Sequence, residues 1–216
     1  MHDLIEVDLY EIDPIVADFI NDSLERCRQN NIRIYLPCTD SVSNKGTYCA
    51  GYFDDDPLEF AVACGRDTKK WLSTFVHESC HLDQWLENTE LWNGRINGAE
   101  PIAVLDNWLQ GQIELEDNIK KQLFDRIISV ELDCEKRSVE KIKKFKLPIN
   151  TDRYIRESNA YVWSYRLVEE TRDWDHSAAY ECESVWQAMP NHFNNDYSYL
   201  PNEIRDILMS HATIID

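Results

Sequence analysis

His77 and His81 stand four residues apart in the stretch "TFVHESCHLDQW", and Glu78 directly follows the first of them. On a helix, positions i and i+4 share one face, so this spacing would bring two imidazoles together one turn apart. Two such rings can hold one zinc ion, with the adjoining carboxylate in reach of a water on that ion. Zinc lowers the pKa of a bound water towards ~7, and Glu78 would take its proton as general base and pass it to a leaving amine. The plainer alternative is a pair of hydrogen-bonded core histidines beside a solvated glutamate. The neighbours favour the site. Ser79 and Cys80 are small and uncharged, and Thr74, Phe75, Val76 and Leu82 make the surroundings mostly apolar. Buried imidazoles and a buried carboxylate need partners, and a metal supplies one.

Two histidines leave a catalytic zinc site one protein ligand short, since the usual set is three ligands and a water. A third histidine six residues after the second is absent, because position 87 is Glu and position 84 is Gln. The next candidates lie downstream in "SVELDCEKRSVE", where Glu131 and Glu135 fall one turn apart on a single face. Cys134 between them reads as a small residue that lets two helices approach. A solvated face, with these glutamates paired to Lys136 or Arg137, is the competing reading. His176, His192 and His211 are further ligand candidates, although none has ligand spacing around it.

The pairing of "HESCH" with "ELDCE" resembles the gluzincin metallopeptidases. In that family a second helix carries a glutamate ligand and, one turn later, an acidic residue. The resemblance implies zinc as cofactor, Glu131 as third ligand and Glu135 as the carboxylate that orients a histidine through its outer nitrogen. The family usually has Asp where this chain has Glu135, so the two roles could be exchanged. "FVHESCHLDQW", "DCEKR" and "NAYVWSY" together also resemble uncharacterised metallopeptidase-like proteins of large tailed bacteriophages, a likeness that would cover much of the chain and place it in the host cytoplasm.

The elements that must position these residues can be read from periodicity. Asp13 to Gln29 has helical spacing, with Ile15, Val16, Phe19, Ile20 and Leu24 as its apolar stripe and Pro14 in the first turn. "NIRIYLP" reads as a strand, "CTDSVSNKGTY" as loop, "YCAGYF" as a second strand, "DDDP" as a turn and "LEFAVACG" as a third strand. Asp67 or Thr68 caps a helix that runs through the histidines to about Glu87. Residues 88–115 read as an ordered insertion packed by its aromatics. A long helix is predicted over 116–145, another from 150 or 151 to about 172, and a short one near 202–210 within a polar, aromatic tail. The expectation is a single α+β domain over 1–216 of zincin-like type: a small N-terminal sheet packed on the active-site helix, then a mostly helical part. In zincin folds an edge strand before that helix can pair with substrate backbone, and "LEFAVACG" holds that place.

Lesser candidates have ordinary explanations beside the functional ones. Tyr161 is the candidate oxyanion donor, but Tyr154, Ser158, Tyr161, Tyr165 and Val168 also make a packing stripe. Asp83 and Gln84 follow the second histidine and read as surface residues, with support of a metal ligand as the other reading. The run "KIKKFK" (Lys141 to Lys146) suits a helix C-terminus through the dipole. Trp71, Trp85, Trp92 and Trp108 read mostly as core.

Charge bounds the partners. The 216 residues carry 22 Lys and Arg against 40 Asp and Glu, a formal net charge of −18. Such a surface repels phosphate backbones, so nucleic acid is an unexpected partner, and a peptide or protein substrate of basic character fits better. The N-terminus lacks the features of a secretory signal, and no stretch approaches the ~20 apolar residues that span a bilayer. Seven cysteines without a C-x-x-C pair read as free thiols in a reducing, cytoplasmic compartment. Iron, manganese or cobalt would also suit two imidazoles and a carboxylate. The alternative function is an acidic protein-binding or DNA-mimicking module on the same scaffold, with a structural metal or none.

Overall fold

The computed structural model describes residues 3–174 and 180–212. It is an α+β chain that divides into two compact units, the first made of residues 1–89 and 136–149, the second of 90–135 and 150–216.

The first unit is built on a four-stranded sheet of order β1-β2-β6-β5. β1 (Leu4–Ile5) pairs parallel with β2 (Arg33–Leu36), and β2 parallel with β6 (Leu58–Val62). β5 (Gly51–Asp55) runs antiparallel to β6. Between β2 and β5 a hairpin joins β3 (Val42–Asn44) to β4 (Thr47–Cys49). This hairpin corrects the loop expected over "CTDSVSNKGTY". Lys45 and Gly46 both have positive φ, 50° and 93°, the conformation that a two-residue turn between twisted strands requires. The strands escaped notice because they are short and polar, with only Val42 buried. A second correction concerns "LEFAVACG". β6 is paired on both sides, and the edge falls to β5.

Helix α1 (Pro14–Gln29) begins as its sequence dictates, with Asp13 accepting from Ile15 N at 2.9 Å and Pro14 in the first turn. Its stripe buries Val16, Phe19, Ile20 and Leu24, while Ile15 points outward. α2 (Thr68–Leu86) starts at Asp67, whose carboxylate accepts from Lys69 N, and stops at Asn88, whose φ of 53° only Gly and Asn reach cheaply. α5 (Asp117–Phe145) contributes its last ten residues to this unit. The Phe75 ring stands 5.9 Å from Phe19 and 5.0 Å from Phe60, and Phe145 stands 5.0 Å from Phe19. Four aromatic rings thus join α1, β6, α2 and the end of α5 in one core.

The second unit is helical. α3 (Glu90–Asn93) and α4 (Pro101–Leu109) fill the segment expected as an insertion. They are followed by the first nineteen residues of α5, α6 (Thr151–Thr171), α7 (Glu183–Ala188) and α8 (Asn202–Ala212). α7 lies in the tail where only one helix was expected. Leu105 and Trp108 of α4, Phe124 and Ile128 of α5, and Trp163 of α6 belong to one buried cluster. Arg172 closes α6 in the left-handed region, lays its guanidinium over the Trp108 ring and donates to Trp108 O at 2.8 Å. Among the described residues no helix is long and apolar enough to cross a membrane.

Candidate metal centre

Three of the candidate residues sit on α2 in the first unit. The helix buries Glu78, Ser79, Cys80 and His81 in a row and Gln84 beyond them, and His77 is half-buried. The His77 and His81 rings meet edge to face, with centroids 4.7 Å apart and planes at 83°. Their Nε2 atoms stand 3.1 Å apart. At the Zn–N length of ~2.0–2.1 Å that separation subtends roughly 100°, close to tetrahedral. The pair therefore fits two corners of a metal ion's coordination shell, and two imidazoles do not fix which metal.

Gln84 explains why the rings face this way. His81 Nδ1 lies 2.8 Å from Gln84 Oε1. A carbonyl oxygen only accepts, so Nδ1 carries the proton and Nε2 keeps its lone pair for a cation. Gln84 is fully buried, which corrects its expected surface position. Asp83 is not a free surface group either. It is bound to Arg26 of α1 and, at 2.7 Å, to Lys141 of α5. Lys141 Nζ also donates to Ser79 O at 2.8 Å and Ser79 Oγ at 2.9 Å, and Ser138 Oγ donates to Cys80 Sγ at 3.4 Å. Ser79 and Cys80, two of the three residues between the histidines, are thus held from α5, and Lys141 does more than complement a dipole.

Glu78 lies against the edge strand. A Cβ added to Gly51 would come within 3.3 Å of Glu78 Cγ, 2.7 Å of Thr74 Cγ2 and 2.9 Å of Ala61 O. Only glycine lets β5 approach α2 so closely. Burial, and then the charge of Glu78, push the Cys49 thiol up to about 11. Glu78 is 6% exposed, beside the start of an edge strand and within electrostatic reach of Cys49 in β4.

The remaining candidates lie in the second unit. Glu131 and Glu135 of α5 are buried, as is Cys134 between them, so the solvated-face reading fails for both glutamates. Glu135 Oε2 accepts from Ser158 Oγ at 2.6 Å. Tyr161 shares a hydrogen bond of 2.9 Å with the Tyr165 hydroxyl and packs on the Tyr180 ring. Burial first, and then the charge of Glu131, raise the Tyr161 phenol well above its ordinary value. It remains a proton donor across the physiological range. His192 is exposed, His211 falls at the end of α8, and His176 lies outside the described residues.

No family model, no curated protein and no solved structure matches the chain.

Proposed function

We propose that this chain is a zinc-dependent metallopeptidase of gluzincin type on a zincin-like fold. The observation that carries the reading is the approach of His77 Nε2 to His81 Nε2, with Gln84 fixing the tautomer that leaves a lone pair free. Glu131 is the proposed third ligand. The Cys134 thiol, which with the two histidines makes a candidate donor set, is the competing choice on the same helix. Glu135 is a supporting carboxylate held by Ser158.

When bound, zinc supplies a water acidified towards ~7 and a Lewis acid for the scissile carbonyl. Glu78 takes the water's proton on its carboxylate and returns it to the leaving nitrogen, with no covalent intermediate. Its low exposure keeps competing water away and strengthens its electrostatic effect. Tyr161, kept neutral, is the proposed donor to the developing oxyanion. β5 ends the strand order of the sheet and starts beside Glu78, the place where an extended peptide would add as a further strand. The net charge of −18 favours basic peptides.

Metal content is the first test, measured by mass spectrometry on untagged protein purified without chelator. About one zinc per chain is expected, lost from Glu131→Gln if that residue is a ligand and from Cys134→Ser if the thiol is. Glu78→Gln should keep both metal and fold while cleavage of a basic peptide library falls by at least ~10²-fold. Full activity in that variant, or no metal uptake at micromolar zinc, overturns the reading and leaves the acidic binding module as the function to pursue.

A further inference from the structure

The ends of β2 and β6 bring two thiols together. Tyr35 is the register partner of Ala61, and three residues further on the ladder still holds, with Cys64 N donating to Pro37 O at 2.8 Å. In a parallel pair that bond links a residue to the one before its partner, so Cys38 stands opposite Cys64. Adjacent strands run about 4.7–4.9 Å apart, and a disulfide accommodates Cα separations of about 4.4–6.8 Å. Gly65 shows the closeness independently. Its N–H donates to Thr39 O at 2.9 Å, and a Cβ there would fall 2.9 Å from the Cys38 carbonyl carbon. Cross-strand partners in register project to the same face. Each thiol makes only a weak bond to a backbone carbonyl, Cys38 to Glu6 O at 3.5 Å and Cys64 to Val62 O at 3.4 Å.

We propose that Cys38 and Cys64 are a redox-active pair that a peroxide converts to a disulfide, tying the end of β2 to the segment leading into α2. Cys38 is exposed and Cys64 buried. Burial, and then its neighbour Cys38, push the Cys64 thiol up to about 12, so Cys38 is the thiol that meets the oxidant. The Cys38 thiolate attacks one oxygen of hydrogen peroxide. An S–O bond forms, the O–O bond breaks, and the departing oxygen leaves as water after taking a proton. The Cys64 sulfur then attacks the Cys38 sulfur and its proton goes to the departing hydroxyl. The S–S bond forms, the S–O bond breaks and a second water leaves. Two thiols and one peroxide thus give one disulfide and two waters. The bond would sit just before Asp67, the cap of α2.

The test is peroxide treatment of the reduced full-length chain, followed by intact mass and by peptide mapping without reduction. The expected result is loss of two hydrogens, a linked peptide joining Cys38 to Cys64, and recovery of the starting mass with dithiothreitol. Cys38→Ser should lose the link. Cys64→Ser should leave a sulfenic acid at Cys38 that a dimedone probe captures. Oxygen addition at Cys38 without a link, a disulfide between other cysteines, or an unchanged mass would each overturn the proposal.

Discussion

Gln84 turns His81 from a ring that could present either nitrogen into one whose Nε2 keeps the lone pair, through one 2.8 Å contact. Gln84→Leu keeps the volume and the burial and removes the acceptor. Metal affinity should fall by roughly 10–100-fold, read by chelator competition, with the circular dichroism spectrum unchanged. At this scale the sequence was informative where chemistry imposes spacing. The approach of His77 and His81 was readable because residues four apart on a helix share one face. Gln84 was not, because a buried amide and a surface amide have the same one-letter signature until the fold shows what surrounds them. Gly51 was hidden for a similar reason. Its role is the absence of a side chain against Thr74, Ala61 and Glu78, and a glycine starting a strand reads as an ordinary turn residue.

Between elements, Lys141 makes a contact that bears on the candidate site. It joins α5 to α2 through Ser79 and Asp83, and Asp83 continues the chain of charges to Arg26 on α1. Lys141→Met retains the aliphatic stem and deletes three charge-assisted interactions, so a loss of about 2–3 kcal/mol is expected in urea denaturation. A smaller loss in zinc affinity should accompany it, because the residues between the histidines would be less firmly held. Helices were the most legible elements, since long periodic stripes and side-chain caps at Asp13, Asp67 and Asn150 mark their limits. The β3–β4 hairpin and the short α7 were missed because neither has enough residues to show a period. The edge position was misassigned to β6 because strand order depends on long-range pairing, which local apolarity does not encode.

For the chain as a whole, the alkaline limb of stability follows from its buried weak acids. Burial is the first cause that pushes the thiols of Cys27 and Cys64 up to about 12 and the phenol of Tyr197 up to about 12, from ordinary values of 9.0 and 10.0. A raised folded-state pKa means the folded chain holds its proton more tightly. The contribution is complete below about pH 9 and is lost as the pH climbs towards 12. Urea midpoints should therefore fall between pH 8 and about pH 10.5, and Cys27→Ala should make that fall shallower. The membership of α5 has a different kind of consequence. Its N-terminal part belongs to the helical unit, whereas its last ten residues complete the sheet unit, supplying Phe145 to the aromatic core and Lys141 to the charge network. A fragment of residues 1–89 should therefore remain unfolded by circular dichroism, and adding residues 136–149 as a separate peptide should restore structure. On a ribosome delivering roughly 5–20 residues per second, the sheet and the helix that carries the two histidines would wait several seconds for the far end of α5, which is encoded only after residues 90–135.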